Sequence, residues 1–292
     1  MPRRRRGVVG HRGCRGLVPE NTLPSIERAL DLRVDGIEID LHLSGDGQVL
    51  VSHDPVALAE KCRSVGGLPV GTPWASLDLV EIQQSFVADR NPDPAAYPEQ
   101  DATWVGRHAP AIMAGAASPF SPPSLAQVVA LLKRYGQDEE SAAYLRRVNL
   151  YLEIKRVPFY ETAWLGTRGP FFETGIVEIV RGLDNWLGCV TVLSFDPQAL
   201  KAVHRLDPWI EIALLTSEVP AALPACLAAV ESRLWCPNFL CLRHETLRQA
   251  HDFGLDVLPW TVNSSHEMQI LREWGIEGMI TDFPNRLSAF FR

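Results

Sequence analysis

Two histidines near the N-terminus each follow a short apolar run of the kind that forms a β-strand. His11 comes after Val8-Val9 and Gly10, and His53 comes after Val49-Leu50-Val51 and a serine. Histidine titrates near neutral pH, so two such side chains brought together can accept and donate a proton in one reaction. We therefore predict that His11 and His53 act as a general acid and a general base.

Three carboxylates form a second group with chemical potential. Glu38 and Asp40 alternate with apolar residues, which puts both on one face of a predicted strand, and Glu153 ends a second strand. Carboxylates gathered in one place repel each other unless a cation binds them, and oxygen-only ligands suit Mg²⁺ or Ca²⁺. We predict a divalent metal site at these three residues. The alternative is a structural ion network with Arg12 and Lys155.

Basic and aromatic residues beside these carboxylates could bind a substrate. Arg12 and Lys155 are the natural ligands for an anion, because a guanidinium fork matches phosphate oxygens. Glu20 and Asn21 are predicted to support the site, although Asn21 could instead cap the first helix. Trp260, at a strand end, could stack on a carbon skeleton or close the barrel. A cation, basic residues and a histidine pair together indicate chemistry on phosphate esters.

The rest of the chain predicts the strands that would bring these residues together. Strand-like runs alternate with helix-like runs of about 10–15 residues, which is typical of βα units and a parallel sheet. Eight such strands begin near Val8, Ile37, Leu150, Val190, Ile210, Leu234, Val257 and Met279. Eight units predict the α/β class and a TIM (β/α)8 barrel, in which the C-terminal strand ends meet on one face.

Residues from about 56 to 122 interrupt this rhythm. They are rich in proline, alanine and glycine and show little periodicity. We predict a single domain over residues 1–292, with this segment inserted between the region of the second strand and the following helix. The segment also contains the aromatic residues Trp74, Phe86, Trp104 and Phe120. If these formed an apolar channel, that channel would favour a lysolipid substrate.

Composition argues against several classes of protein. The 292 residues are 46% hydrophobic and 22% charged, which is ordinary for a globular protein. A net charge of −7 argues against a nucleic-acid partner, since that partner requires clustered Lys and Arg. Apolar stretches stay well short of the ~20 residues of a membrane span, so we expect no integral membrane association.

Features of the termini and cysteines predict where the protein works. The basic run Arg3–Arg6 is predicted to be a solvated end, and no apolar segment of a signal peptide separates it from His11. The six cysteines show no C-x-x-C spacing, which favours reduced thiols over zinc ligands or disulfides. We therefore expect a cytoplasmic protein. The pattern carries no signal for the oligomeric state.

These motifs, taken in order, resemble those of the glycerophosphodiester phosphodiesterase family. The resemblance covers nearly the whole chain and is weakest across residues 56–122. The matching motifs are His11-Arg12-Gly13, Pro19-Glu20-Asn21-Thr22, Glu38-Ile39-Asp40, Asp46-Gly47, His53-Asp54, Leu152-Glu153-Ile154-Lys155, Ser194-Phe195, Trp260-Thr261-Val262-Asn263 and Thr281-Asp282-Phe283-Pro284.

The resemblance implies a TIM barrel with one inserted segment and a divalent metal. It implies that Glu38, Asp40 and Glu153 hold the metal and that His11 and His53 are acid and base. Arg12 would bind the phosphate. The implied reaction hydrolyses a small-molecule glycerophosphodiester to glycerol 3-phosphate and an alcohol, through attack of the neighbouring glycerol hydroxyl and a cyclic phosphate that water opens.

Two other functions stay open on the sequence alone. A lysophospholipase D or a sphingomyelinase D-like phosphodiesterase would share the same barrel core. A non-catalytic ligand-binding barrel would be expected to have lost one of the histidines or carboxylates, and all of them are present. The alcohol head group and the choice between Mg²⁺ and Ca²⁺ are not specified by these motifs.

Overall fold

The computed structural model describes residues 6–165, 171–183 and 187–287. Eight parallel strands follow one another around a nearly closed barrel, in the order β10-β9-β8-β7-β6-β2-β1-β11. The strands are β1 (Gly7–Gly10), β2 (Gly36–Leu43), β3 (Val49–Val51), β4 (Arg63–Ser64), β5 (Phe86–Val87), β6 (Asn149–Ile154), β7 (Cys189–Ser194), β8 (Glu211–Thr216), β9 (Leu234–Pro237), β10 (Asp256–Val257) and β11 (Gly278–Thr281). The predicted TIM barrel is confirmed.

Helices fill most of the connections between the barrel strands. Short 3₁₀ turns occur at Trp74–Ser76 and Phe239–Cys241, and a π-helical turn at Glu161–Leu165. The helices are α1 (Leu23–Asp31), α2 (Leu79–Ser85), α3 (Ala109–Ile112), α4 (Leu125–Tyr135), α5 (Glu139–Leu145), α6 (Pro158–Tyr160), α7 (Phe171–Arg181), α8 (Pro197–Leu206), α9 (Leu223–Ala229), α10 (His244–Asp252), α11 (Ser265–Glu273) and α12 (Pro284–Leu287). Among the described residues, no helix is both long and apolar enough to cross a membrane.

The barrel closes where the first and last parts of the chain meet. Strand β1 pairs in parallel with both β2 and β11. Between β10 and β11 the ladder is carried by irregular backbone, in which Ile280 N–H donates to Pro259 at 2.9 Å and Val262 N–H donates to Ile280 at 2.9 Å. The strand predicted near Val257 ends at that residue, and the backbone that follows it is joined to β11 by single hydrogen bonds.

The alternation in β2 has the structural result that its period of two predicts. Ile37, Ile39 and Leu41 are fully buried in the core between the barrel and the helices, where they join residues of α1 and α4. Glu38 and Asp40 therefore lie on the other face of the strand, inside the barrel. Strand β2 thus delivers two carboxylates to the interior of an otherwise apolar framework.

The start of helix α1 corrects one alternative for Asn21. Thr22 is the N-cap, and its side-chain oxygen accepts from Ser25 N–H at 3.2 Å. Asn21 has a φ of 56° and so lies in the left-handed region, which asparagine tolerates better than most residues. Its side chain is turned away from the helix, so capping by Asn21 was the wrong alternative.

Residues 56–122, hereafter the 56–122 segment, lie between β3 and α4. They contain the antiparallel pair β4–β5 and the helices α2 and α3. Trp74 and Phe86 meet edge-to-face at 5.4 Å in a small core of their own, with exposures of 1% and 0%. Phe120 is buried in the main core, and Trp104 packs against it. Three of these aromatic side chains are therefore buried in cores, and Trp104 is half-buried against the main one.

The opposite, N-terminal end of the barrel corrects the prediction for the basic run. Arg6 is buried, and its guanidinium contacts Glu211 at 2.7 Å and Asp256 at 3.1 Å. These carboxylates start β8 and β10, so they converge on the chain just before β1. The prediction of a solvated run is therefore wrong for Arg6, and residues 3–5 lie outside the described part of the chain.

Candidate active site

A cavity of 280 Å³ opens at the C-terminal ends of the barrel strands. Its polar side carries His11, Arg12, Glu38, His53, Glu153 and Lys155. Its apolar side carries Leu193, Phe195, Leu215, Trp260 and Ile280. None of the four aromatic residues of the 56–122 segment that could have formed a channel lines this cavity. The structure thus brings most of the predicted site residues to one place, and puts Asp40, Glu20 and Asn21 directly behind them.

The three predicted metal ligands lie together because of the register between β2 and β6. Asp40 and Glu153 are direct partners across this parallel pair, and Glu38 precedes Asp40 by two residues. One oxygen from each carboxyl group lies within 4.8 Å of the others. Oε1 of Glu38 is buried and has no hydrogen-bond partner within the described structure. Such a set of hard oxygen donors fits a divalent cation.

The same crowding changes the acidity of two of these carboxyl groups. Burial, together with the charges of Asp40 and Glu153, raises the pKa of Glu38 well above its usual range. Burial and the charge of Asp40 raise the pKa of Glu153 to about 7, although Lys155 opposes the shift. Burial is the main cause of both shifts, and the neighbouring carboxylate charges add to it.

Asp40 is the ionised centre of this group. Its Oδ2 accepts from Asn21 Nδ2 at 2.8 Å, while Asn21 Oδ1 accepts from the Asp40 backbone N–H at 3.1 Å. Lys155 Nζ lies 3.1 Å from Asp40 Oδ1. Although burial opposes ionisation, Lys155 and Arg12 hold the pKa of Asp40 well below its usual range. Asn21 thus supports the site by fixing Asp40.

Arg12 lines the cavity, but carboxylates already contact its guanidinium. Nη1 donates to Glu20 at 2.8 Å, and Nε lies 3.2 Å from Asp40. Glu20 in turn also contacts Arg15 at 2.6 Å and Lys61 at 2.8 Å. Burial opposes ionisation of Glu20, yet these three cations lower its pKa to about 2. Glu20 therefore organises the basic side of the site.

His11 is held by a carboxylate from the other end of the chain. Its Nδ1 lies 2.6 Å from Asp282 Oδ1, and its Nε2 lies 3.9 Å from Glu38. A carboxylate can only accept, so Nδ1 carries the proton and Nε2 is the nitrogen that remains for a reactant. Burial and the charge of Arg12 lower the pKa of His11, and Asp282 opposes that shift.

His53, which also lines the cavity, is held by a carboxylate in the same way. Its Nδ1 donates to Asp54 Oδ1 at 3.0 Å, and Lys61 Nζ contacts Asp54 Oδ2 at 2.5 Å. Burial lowers the pKa of His53, whereas the hydrogen bond to Asp54 raises it. His42 lies behind this pair and donates from Nε2 to the His53 carbonyl at 3.1 Å, which fixes the backbone.

Several partners of the site residues were missed by the reasoning from sequence. Asp54 and Asp282 could have been found from the sequence, since each belongs to one of the family motifs. Asp54 lies beside a candidate histidine, and Asp282 lies at a strand end. Lys61 and Tyr97 carry none, because they lie in the aperiodic 56–122 segment. Trp260, for which two roles were open, lines the cavity while its indole N–H donates to Cys236 at 2.9 Å.

Comparisons with known proteins match the chain to one family over nearly its whole length. The profile of the "Glycerophosphoryl diester phosphodiesterase family" matches residues 11–286. A glycerophosphodiester phosphodiesterase of Bacillus subtilis (strain 168) is 27% identical over 289 residues, which are 95% of this chain and 84% of that protein. One from Bacillus altitudinis is 26% identical over 284 residues, 96% of this chain and 95% of that protein.

Solved structures share the fold. A crystal structure from Silicibacter pomeroyi DSS-3, assigned to the glycerophosphoryl diester phosphodiesterases, superposes with a TM-score of 0.77 at 25% identity, covering 99% of this chain and 93% of that one. A phosphodiesterase from Oleispira antarctica, solved in complex with its product sn-glycerol-3-phosphate, gives a TM-score of 0.73 at 21% identity, covering 98% and 96%.

Proposed function

Because the chain belongs to the glycerophosphoryl diester phosphodiesterase family and is therefore a phosphoric diester hydrolase, we propose that His11 and His53 are its acid and base. The proposed reaction converts a small-molecule glycerophosphodiester to glycerol 3-phosphate and an alcohol. The observation that carries this proposal is the meeting of two histidine–carboxylate pairs with a three-carboxylate cluster at one cavity. The product bound by the Oleispira antarctica neighbour is the one expected here.

We propose that Glu38, Asp40 and Glu153 hold a divalent cation, Mg²⁺ or Ca²⁺. The fit rests on the 4.8 Å grouping of their oxygens and on the buried Oε1 of Glu38, which has no hydrogen-bond partner in the described part of the chain. A cation bound there supplies charge that neutralises the non-bridging oxygens of the phosphate. Arg12 and Lys155 line the same cavity, and we propose that they bind the remaining phosphate oxygens.

The two histidines divide the proton transfers between them. One accepts the proton of the glycerol hydroxyl beside the phosphate as that oxygen bonds to phosphorus, and the other protonates the alcohol oxygen as its bond to phosphorus breaks. Their roles then reverse: water loses a proton as it attacks the cyclic phosphate, and the ring oxygen gains one as it leaves. With both Nδ1 atoms bound to carboxylates, Nε2 of His11 and of His53 carries out these transfers. The cavity wall at Trp260 packs against the carbon skeleton.

Alanine variants test the acid–base roles. We expect His11→Ala and His53→Ala each to lower kcat for release of glycerol 3-phosphate from glycerophosphocholine by about 10²–10⁴. His266→Ala, which removes an exposed histidine of α11, should leave kcat unchanged. Full hydrolysis by either of the first two variants would contradict the assignment. Chelated enzyme resupplied with Mg²⁺ or Ca²⁺ identifies the cation.

A lysolipid is the second candidate substrate, as in a lysophospholipase D. The apolar wall formed by Leu193, Phe195 and Leu215 favours it, since an acyl chain needs such a surface. We nevertheless propose the deacylated diester, because none of the four aromatic side chains that could have formed a channel lines the cavity. Activity on lysophosphatidylcholine but not on glycerophosphocholine would reverse this choice.

We also propose a cytoplasmic location and a single domain with residues 56–122 as an insertion. All six cysteines are free thiols, which suits a reducing compartment. Barrel strands β2 and β6 pair directly with each other although the segment separates them in sequence. This pairing supports one barrel that carries the segment as an insertion.

A further inference from the structure

We propose that the 56–122 segment positions both reacting histidines, with Tyr97 acting on the His11 pair and Lys61 acting on the His53 pair. The inference rests on the acid–base function proposed above for the two histidines. Neither Tyr97 nor Lys61 lines the 280 Å³ cavity. Both are therefore positioning residues, which act on the substrate only through a carboxylate and a histidine.

The first contact runs from Tyr97 through Asp282 to His11. One oxygen of Asp282 accepts from His11 at 2.6 Å. The other oxygen accepts from Tyr97 OH at 3.3 Å and from Asn263 Nδ2 at 2.7 Å. With both of its oxygens occupied by donors, the carboxylate cannot rotate freely. The fixed carboxylate in turn fixes the plane of the His11 ring, because Nδ1 of that ring donates to it.

Tyr97 is itself held in place by its ring. The Arg15 guanidinium lies over the ring at 4.6 Å from its centroid, and the Phe283 ring lies 6.1 Å away. Tyr97 is 8% exposed, so the hydroxyl is presented from a packed side chain rather than from a mobile one. Phe283 follows Asp282 directly in the sequence, and the tyrosine therefore contacts the same turn twice.

The second contact runs from Lys61 through Asp54 to His53. Lys61 Nζ lies 2.5 Å from Asp54 Oδ2, and Asp54 Oδ1 accepts from His53 Nδ1 at 3.0 Å. The ammonium also contacts Glu20 at 2.8 Å. Asp54 retains 20% exposure of its side chain, so without Lys61 it could turn towards solvent and release the ring of His53.

Glu20 joins the two contacts behind the site. It contacts Lys61, which holds Asp54, and Arg15, which covers Tyr97. The segment therefore fixes the orientation of two rings from one connected network. Displacement of a reacting group by about 1 Å can cost on the order of 10²-fold in rate, so partial loosening of one ring should cost about tenfold.

The test compares Tyr97→Phe and Lys61→Met with matched variants elsewhere. Tyr135→Phe removes a tyrosine hydroxyl that donates to Asp31 at 3.2 Å, and Lys133→Met removes an ammonium that donates to Gly182 at 3.0 Å. We expect kcat on glycerophosphocholine to fall about tenfold in each test variant, with KM changed less than about threefold. The matched variants should keep the parental kcat. Lys61→Arg, which retains the charge, should recover most of the rate.

A change of leaving group separates positioning from general loss of structure. From a glycerophospho-p-nitrophenyl diester, the leaving group departs as a stabilised p-nitrophenolate, and its departure needs no general acid. The histidine that acts as the acid is the one whose alanine variant recovers on this substrate. We expect its positioning variant to recover with it, so that Tyr97→Phe follows His11→Ala and Lys61→Met follows His53→Ala.

The possible results distinguish this inference from the proposed function. Test variants that retain the parental kcat, or that respond to the change of leaving group as the opposite histidine does, would overturn the positioning roles and leave the acid–base roles intact. Full activity of both alanine variants would instead remove the acid–base proposal and the positioning inference with it.

Discussion

Opposite charges alternate at the N-terminal end of the barrel, whereas like charges adjoin at its C-terminal end. At the first end, the guanidinium of Arg6 lies between the carboxylates of Glu211 and Asp256. At the second end, the oxygens of Glu38, Asp40 and Glu153 lie within 4.8 Å of one another. Both clusters are enclosed by the same eight strands.

The difference is the one expected between a structural ion cluster and a binding site. Taking a charge out of water is costly unless a partner of opposite sign accompanies it. Arg6 has such partners, so its cluster contributes to the fold. Among the described residues, Glu38 Oε1 has no hydrogen-bond partner, and burial together with the charge of Asp40 raises the pKa of Glu153 to about 7. Such repulsion is tolerated at sites that bind a charge from outside the chain.

The largest expected effect follows from neutralising the like-charge cluster. We expect Glu38→Gln to lower kcat/KM for glycerophosphocholine by about 10³, because metal charge at the phosphate contributes several kcal/mol to transition-state stabilisation. Glu211→Gln, at the other end of the barrel, should keep the parental rate per folded molecule. Parental activity in Glu38→Gln would show that the carboxylates form a structural ion network with Arg12 and Lys155, which is the alternative to a metal site.

Glu20 shows what happens where charges alternate near the site. Arg12, Lys61 and Arg15 lower its pKa to about 2 against the effect of burial, from an ordinary 4.5. Its stabilising contribution is therefore complete above pH 4.5 and is lost as the pH falls towards 2. The measurement is the free energy of unfolding in urea at pH 5 and at pH 2. From the size of this pKa shift, the parent should lose about 3 kcal/mol more between the two pH values than Glu20→Gln does. An equal loss of unfolding free energy in the two proteins would show that Glu20 is not held ionised.

The smallest expected effects have opposite signs at the two ends. In chelator at pH 8, Glu211→Gln should lower the free energy of unfolding by about 2 kcal/mol, since it leaves Arg6 short of a partner. Glu38→Gln should raise it by about 1 kcal/mol, since it relieves repulsion. Chemical denaturation of both variants measures the pair. Shifts of the same sign would remove the distinction between the two clusters.

The parts of the site that could be predicted are those governed by periodicity. Alternation in β2 and β6 indicates which residues face the barrel interior, and the parallel order of strands brings Asp40 beside Glu153. His11 and His53 could be found because each follows an apolar run. For such residues the local pattern and the barrel geometry together determine the neighbours.

The rest depends on contacts that no local pattern encodes. Arg6 lies in a basic run that looks solvated, and it becomes buried only because β8 and β10 start beside it with carboxylates. Asn21 and Thr22 are both good caps, and the choice between them follows from the left-handed backbone at Asn21. Tyr97 reaches Asp282 through an aperiodic segment, whose course is set by tertiary packing.

The pairing of β1 with β11 has a consequence for biosynthesis. His11 follows the first barrel strand and Asp282 follows the last, so the hydrogen bond that orients His11 joins residues 271 positions apart. A chain emerging from the ribosome presents its carboxyl cluster and His53 long before that partner exists. Under the proposed roles, translation products that stop short of Asp282 lack the carboxylate that orients His11, which ties the onset of activity to synthesis of the final strand.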